Sequence, residues 1–156
     1  MTNINNLELV PSDACLSLIK TFEGLSTTAY VCPAGVWTIG YGHTKDVKKG
    51  DVITQAGAEQ LLQKDVNLFA RQVINVLHHS INQNQFDALV AFAFNVGMGN
   101  FKKSTLLKKV NIGDFKTAAQ EFLKWDKDKR NGVAVQIEGL TRRRQAEKRL
   151  FECEEL

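Results

Sequence analysis

The chain has 156 residues, 44% of them hydrophobic, and a formal net charge of +3. A chain of this length hides roughly 70% of its unfolded surface on folding, so it can build a core without disulfides or a structural metal. The mild charge does not point to a nucleic-acid binder, and the absence of any run of about 18 apolar residues argues against a membrane span or signal anchor.

Three cysteines, Cys15, Cys32 and Cys153, form an odd and sparse set without a CxxC pair, which reads as reduced thiols in a protein made in the cytosol. The polar N-terminus lacks the basic and apolar regions of a signal peptide. The adjacent His78 and His79 read as solvated, and no histidine or cysteine spacing suits a metal. No cofactor is expected.

In chain order, a first helix is expected after Pro11, with Ser12 as its N-cap and Cys15, Leu18, Ile19 and Phe22 on one apolar face. Gly24 ends it, which puts Glu23 in its last turn. Residues 29–44 read as strands around a turn at Pro33-Ala34-Gly35, making a hairpin or a three-stranded sheet. A long helix is expected over 54–79, with Leu62, Val66, Phe69, Val73 and Val76 as its stripe. Asn82 can cap a helix over 83–96 that is apolar on most sides and therefore central.

A short helix near 104–110 follows, then one capped by Asp114 with Phe115, Ala118, Ala119 and Phe122 on one face. The polar stretch 126–138 reads as a loop, and a last helix covers 140–151. The order predicts an α+β chain with its strands gathered in an N-terminal lobe. Residues 1–156 form a single domain in this reading, with lobes at 12–60 and 80–156 joined by the helix over 54–79. The cleft between lobes is a natural place for a substrate.

Cutting a glycosidic bond needs a proton donor at the leaving oxygen and help for the group that attacks the anomeric carbon. The donor is usually a carboxyl kept protonated by a partly apolar setting. Glu23, closing an apolar helix, fits; a lone glutamate at a helix end is more often an exposed one.

The surrounding pattern changes that reading. Glu23, Cys32 and Thr38 are separated by eight and five residues, and Thr38-Ile39-Gly40-Tyr41-Gly42-His43 follows. Asn95-Val96-Gly97 and the block from Gly139 to Leu150, with its Arg142-Arg143 and Glu147, come later. Together these resemble the phage lysozymes of glycoside hydrolase family 24, the endolysins of tailed phages, over about residues 12–151. The resemblance implies a lysozyme-like, mostly helical fold whose small N-terminal sheet lobe is joined by a long helix to a helical lobe.

It also implies roles. Glu23 would be the general acid, and Thr38 would help hold the attacking water. Cys32 stands where the family usually has aspartate. A neutral thiol stabilises positive charge poorly, which leaves inversion by water and a thiolate route both open, inversion favoured. His43 is read first as hydrogen-bonding support beside the cleft and then as a substrate contact. Tyr41 and Trp37 suit stacking on sugars or packing equally, and Phe94 suits core packing with one edge on the cleft. Arg142-Arg143-Arg144 reads as a solvated helix face with internal salt bridges such as Arg143 to Glu147, ahead of a polyanion site.

The expected activity is hydrolysis of the β-1,4 bond between N-acetylmuramic acid and N-acetylglucosamine in peptidoglycan, leading to host lysis. The alternatives are a lytic transglycosylase on the same bond and a non-catalytic wall-binding module. The expected partners are glycan strands, with no nucleic acid and no stable membrane insertion. The protein is expected to be a monomer that waits in the host cytoplasm and reaches the wall through a separate holin.

Overall fold

The computed structural model describes residues 2–153, with backbone alone at 129 and 130. After a 3-10 turn at Ile4–Asn6, the first helix α1 covers Asp13–Glu23. Ser12 stands at its N-cap in an extended conformation but does not cap with its side chain. Instead its N–H donates to Asp87 Oδ1 at 3.0 Å, and its hydroxyl donates to Asp87 Oδ2. Asp87 is fully buried on the central helix, so a buried carboxylate claims the hydroxyl that sequence assigned to the helix end.

Two strands follow, β1 over Ser26–Val31 and β2 over Trp37–Gly40, paired antiparallel with Tyr30 opposite Thr38 and Val31 opposite Trp37. Residues 51–53 run along β1 as a third, shorter segment, with Ala29 N–H donating to Asp51 O and Ile53 N–H to Thr27 O. Helix α2 then spans Gln55–Val76, capped by the Thr54 hydroxyl accepting from Gly57 N–H at 3.0 Å. At 1.5 Å per residue it is roughly 33 Å long, enough to carry the chain past both lobes. It stops before the expected 79 because the N-terminal arm holds the next residues extended. Asn3 N–H donates to Leu77 O, and Asn6 Nδ2 donates to His79 O at 2.9 Å.

Helix α3, Gln83–Val96, begins with a reciprocal cap between Asn82 and Gln85. Phe86 and every residue from Ala88 to Ala93 are fully buried, as expected of a central helix. Against it pack α1, α2, α4 (Met98–Lys103) and α7 (Glu138–Glu152), while α5 (Thr105–Asn111) joins α4 to α6 (Phe115–Glu121), α6 also meets α7, and α1 packs against α7. Phe92 is the pivot of this core, meeting Phe101, Phe122 and Trp125 edge to face. One cluster of buried side chains runs from Cys15 on α1 through α2 and α3 to Phe151 on α7.

One expectation fails here. The stretch read as a loop is a hairpin, β3 (Lys127–Arg130) and β4 (Val133–Gln136), so the strands are not all in the N-terminal lobe. Its root is tied by Asp126, which accepts from Lys127 Nζ at 3.0 Å, Gln136 Nε2 at 2.9 Å and the Thr141 hydroxyl at 3.1 Å. β3 is a run of charged residues, and β4, Val-Ala-Val-Gln, is exposed along its whole length, so neither strand shows the alternation of apolar and polar residues that marks a half-buried strand.

Candidate active site

Glu23 reaches its position because Gly24 ends α1 at φ +70°, a backbone shape that suits glycine, with its N–H on Lys20 O at 3.1 Å. Its side chain is 25% exposed and lines a cavity of about 460 Å³ with His43, Asp65, Phe69, Phe94 and Asn95. Glu23 and Asn95 also line a second cavity, of about 510 Å³, walled by Phe22, Leu140 and Arg142. The carboxylate thus stands where two hollows meet. A Cβ added at Gly42, where φ is +86°, would come within 3.1 Å of Glu23 Oε2, so glycine lets the loop after β2 close over the acid. A third cavity, under the N-terminal arm by Leu9 and Pro11, is lined by no carboxylate or thiol.

The setting of Glu23 differs from the apolar one that sequence suggested. Arg143 Nη1 donates to its Oε1 at 2.8 Å. Arg143 is buried and shared, since Nε also donates to Glu147 Oε2 at 3.2 Å and Nη2 to Ala91 O at 3.2 Å. Beside it the fully buried Arg144 donates to Glu147 and Asn95 through Nη1 and Nη2, and to Trp125 O through Nε at 3.0 Å, with its guanidinium over the Phe92 ring. Two guanidiniums and two carboxylates therefore form one compact group. Burial pushes the Glu147 carboxyl up, against the pull of both guanidiniums. The expected Arg143–Glu147 pair is present, but the face bearing it is interior. Of the three arginines only Arg142, paired with Glu138 at 3.0 Å, is exposed.

Cys32 and Thr38 lie together on the β1–β2 hairpin. The turn between the strands is closed by Cys32 N–H on Val36 O at 2.9 Å and Gly35 N–H on Cys32 O at 2.8 Å. Cys32 is half-exposed, and its thiol is drawn below the ordinary range foremost by the Val36 backbone, helped by Ala34 and by the Thr38 hydroxyl. Thr38 is only 3% exposed and donates its hydroxyl to Val36 O at 2.9 Å. Neither residue lines the two cavities at Glu23, and no hydrogen bond joins them to it among the described residues.

His43 lines the cavity with both ring nitrogens engaged, Nδ1 at 2.7 Å from Asp65 Oδ2 and Nε2 at 3.0 Å from Lys45 O. Phe94 meets Phe69 edge to face at 5.2 Å and lines the cavity. Tyr41 is 8% exposed within the core, with Lys20 Nζ 5.7 Å from its ring centre, so its ring serves packing. His78 is exposed, but His79 is half-buried against Phe115. Burial pushes the Cys15 thiol up, and Cys153 is exposed. Sequence reasoning missed Asp65 and the reach of Arg143 to Glu23. Neither had a local signal, because each partner lies many residues away.

Comparison with known proteins gives a consistent result. The phage lysozyme family pattern matches residues 20–147. An endolysin of Acyrthosiphon pisum secondary endosymbiont phage 1 is 49% identical over 141 residues, 90% of this chain and 97% of that protein. The endolysin of Bacillus phage B103 is 49% identical over 143 residues, and the match spans 90% of this chain but 53% of that longer protein. A SAR-endolysin of Enterobacteria phage PA-2 is 39% identical over 127 residues, 81% of this chain and 74% of that protein. Among solved structures, the muramidase domain of SpmX from Asticaccaulis excentricus aligns with a TM-score of 0.91 at 41% identity, over 94% of this chain and all of that one.

Proposed function

The chain belongs to the phage lysozyme family, and on that footing we propose that it is an endolysin, a muramidase that hydrolyses the β-1,4 bond between N-acetylmuramic acid and N-acetylglucosamine in bacterial peptidoglycan. The observation that carries the site assignment is the placement of Glu23, held by Arg143 at Oε1 with Oε2 toward the groove at Gly42. In this reading Oε2 carries the proton to the leaving oxygen. Arg143 orients the carboxylate without acting on it as a lone cation, because Glu147 shares its charge.

Cys32 and Thr38 organise the attacking water and the positive charge that grows at the anomeric carbon. The Val36 backbone and the Thr38 hydroxyl draw the Cys32 thiol below its ordinary range, so this site favours the thiolate more than an unperturbed cysteine does, which bears on the objection to cysteine at this position. Phe94 and His43 form the wall against which the glycan lies, His43 chiefly as a brace between the sheet lobe and α2. The reaction is inverting and uses neither metal nor cofactor.

The single domain acts as a monomer on the cell wall, reached from the host cytoplasm through a separate holin. No helix among the described residues is long and apolar enough to cross a membrane. Expression in a bacterial host with and without a co-expressed holin tests the release step: prompt lysis without holin would replace it with self-release. Mass spectrometry of fragments from purified peptidoglycan tests the chemistry. Reducing muramic acid ends are expected; anhydro ends would make the enzyme a transglycosylase, and no fragments at all would make it a binding module.

A further inference from the structure

A different end of the molecule carries features that glycan cleavage does not use. Residues 98–120 contain Lys102, Lys103, Lys108, Lys109 and Lys116 against the single acid Asp114. Lys102, Lys103, Lys108 and Lys116 are exposed, and none of the five makes an ion pair at contact distance among the described residues. Asp114 is occupied in capping α6, accepting from Thr117 N–H at 3.1 Å, although the charge of Lys109 reaches it. The lysine pairs close α4 and α5, where the negative ends of short helices favour them. That accounts for their position and leaves their excess charge unanswered.

Two isoleucines stand out of the same end. Ile112 is 70% exposed and Ile4 is 77% exposed. Both are on fastened backbone. Behind Ile112, Gly113 at φ +78° closes α5 with its N–H on Val110 O at 3.0 Å, while Asp114 N–H reaches back to Lys109 O at 2.9 Å. A Cβ at Gly113 would fall 2.7 Å from His79 Nε2, so this turn is seated against the α2–α3 junction. The turn bearing Ile4 is bound to that junction by Asn3, Asn5 and Asn6. The two segments meet through the junction itself, where His78 N–H donates to Asn111 Oδ1 at 2.8 Å.

We propose that this end of the helical lobe is a peripheral docking surface for an anionic phospholipid bilayer. Lysines supply attraction to acidic headgroups, and isoleucines on fixed backbone enter the headgroup boundary with little further ordering. The apolar tips favour lipid over a soluble polyanion, which has nothing for them to enter. Association is at the surface and does not span the bilayer. None of these residues lines the cavities at Glu23, so docking and cleavage are separable.

The test is co-sedimentation of the intact protein with vesicles of phosphatidylcholine alone and of phosphatidylcholine mixed with phosphatidylglycerol. Binding is expected only with phosphatidylglycerol and weakens as salt rises. The pair Lys102→Glu and Lys108→Glu should lower it by about tenfold or more, as expected for several lysines near an acidic surface. Ile112→Asp should lower it as well. Lys48→Glu with Lys49→Glu makes the same charge change on the sheet lobe and should keep most of the binding. Circular dichroism checks each fold, and glutamine at 102 and 108 repeats the test with less perturbation.

Equal losses in the two charge-reversed pairs would mean net charge alone acts and would overturn the patch. No preference for phosphatidylglycerol would overturn docking. Loss of retention on peptidoglycan sacculi in the Lys102/Lys108 pair, without vesicle binding in the wild type, would overturn the lipid assignment. Vesicles contain no peptidoglycan, so these outcomes stand apart from the muramidase reading.

Discussion

Two regions hold the residues assigned to cleavage, and they are built in opposite ways. Glu23 stands at the open edge of a group of two buried arginines and two carboxylates, anchored on α1, α3 and α7, in which each guanidinium nitrogen has an acceptor. Cys32 sits on a four-residue turn, half-exposed, tuned by the backbone of Val36 and by one neighbouring hydroxyl. The first is rigid because burying those charges is tolerable only when they are paired. The second is free of that constraint, so its residue type can change without a penalty in the core. The contrast gives a reason why cysteine can stand at the middle position in place of the commoner aspartate, while the position of Glu23 has no such latitude.

The sharpest break falls on the rigid side. Glu23→Gln keeps the shape and removes the ionisable proton, and turnover of peptidoglycan should fall by ~10²–10⁴-fold, the usual contribution of general acid catalysis. Circular dichroism should be unchanged. A variant keeping half its activity would remove Glu23 from the mechanism.

Glu147→Ala attacks the support of that acid without touching the groove. It strips two buried guanidiniums of their shared partner, and the cost should be about 3–5 kcal/mol in urea unfolding. A loss within ordinary surface scatter would show that the charged group is not a structural keystone.

The hairpin side should tolerate more. Cys32→Asp should be as active as wild type or better, since a carboxylate orients water and carries charge. Cys32→Ala should be strongly impaired, by about tenfold or more if the residue helps with charge or water. Alkylation should inactivate the wild type, spare Cys32→Asp, and touch the buried Cys15 slowly. Retention of anomeric configuration, read by NMR early in a reaction on a soluble oligomer, would replace inversion with a thiolate nucleophile.

The smallest effect concerns the second hairpin. Its root carboxylate, Asp126, is held below the ordinary range foremost by Lys127, then by Gln136 and Thr141. A depressed carboxyl stabilises the fold above its unfolded pKa of about 3.9 and loses that contribution as pH falls through its lower folded value. Acidification should therefore lower the protection factors of amides in 127–136, taken relative to the slower intrinsic exchange at low pH, before the rest of the helical lobe opens. Asp126→Asn should show the faster exchange at neutral pH. Equal rates in the two proteins would detach the clasp from hairpin stability.

Much of this was legible in the sequence because it depends on near neighbours. The apolar run Phe86 to Ala93, the cap at Asn82, the glycine after Glu23 and the Arg143–Glu147 step all follow from local spacing, and the motif blocks pointed to the phage lysozyme family. Tertiary structure decided what no local pattern encodes. It turned Ser12 from a helix cap into a partner of buried Asp87, ended α2 at Val76 by means of the N-terminal arm, and placed Arg143 against Glu23 across most of the chain. The physical reason is the same in each case. A buried charge or unpaired backbone group must find a partner wherever folding brings one, and the sequence shows the need without showing which distant residue will meet it.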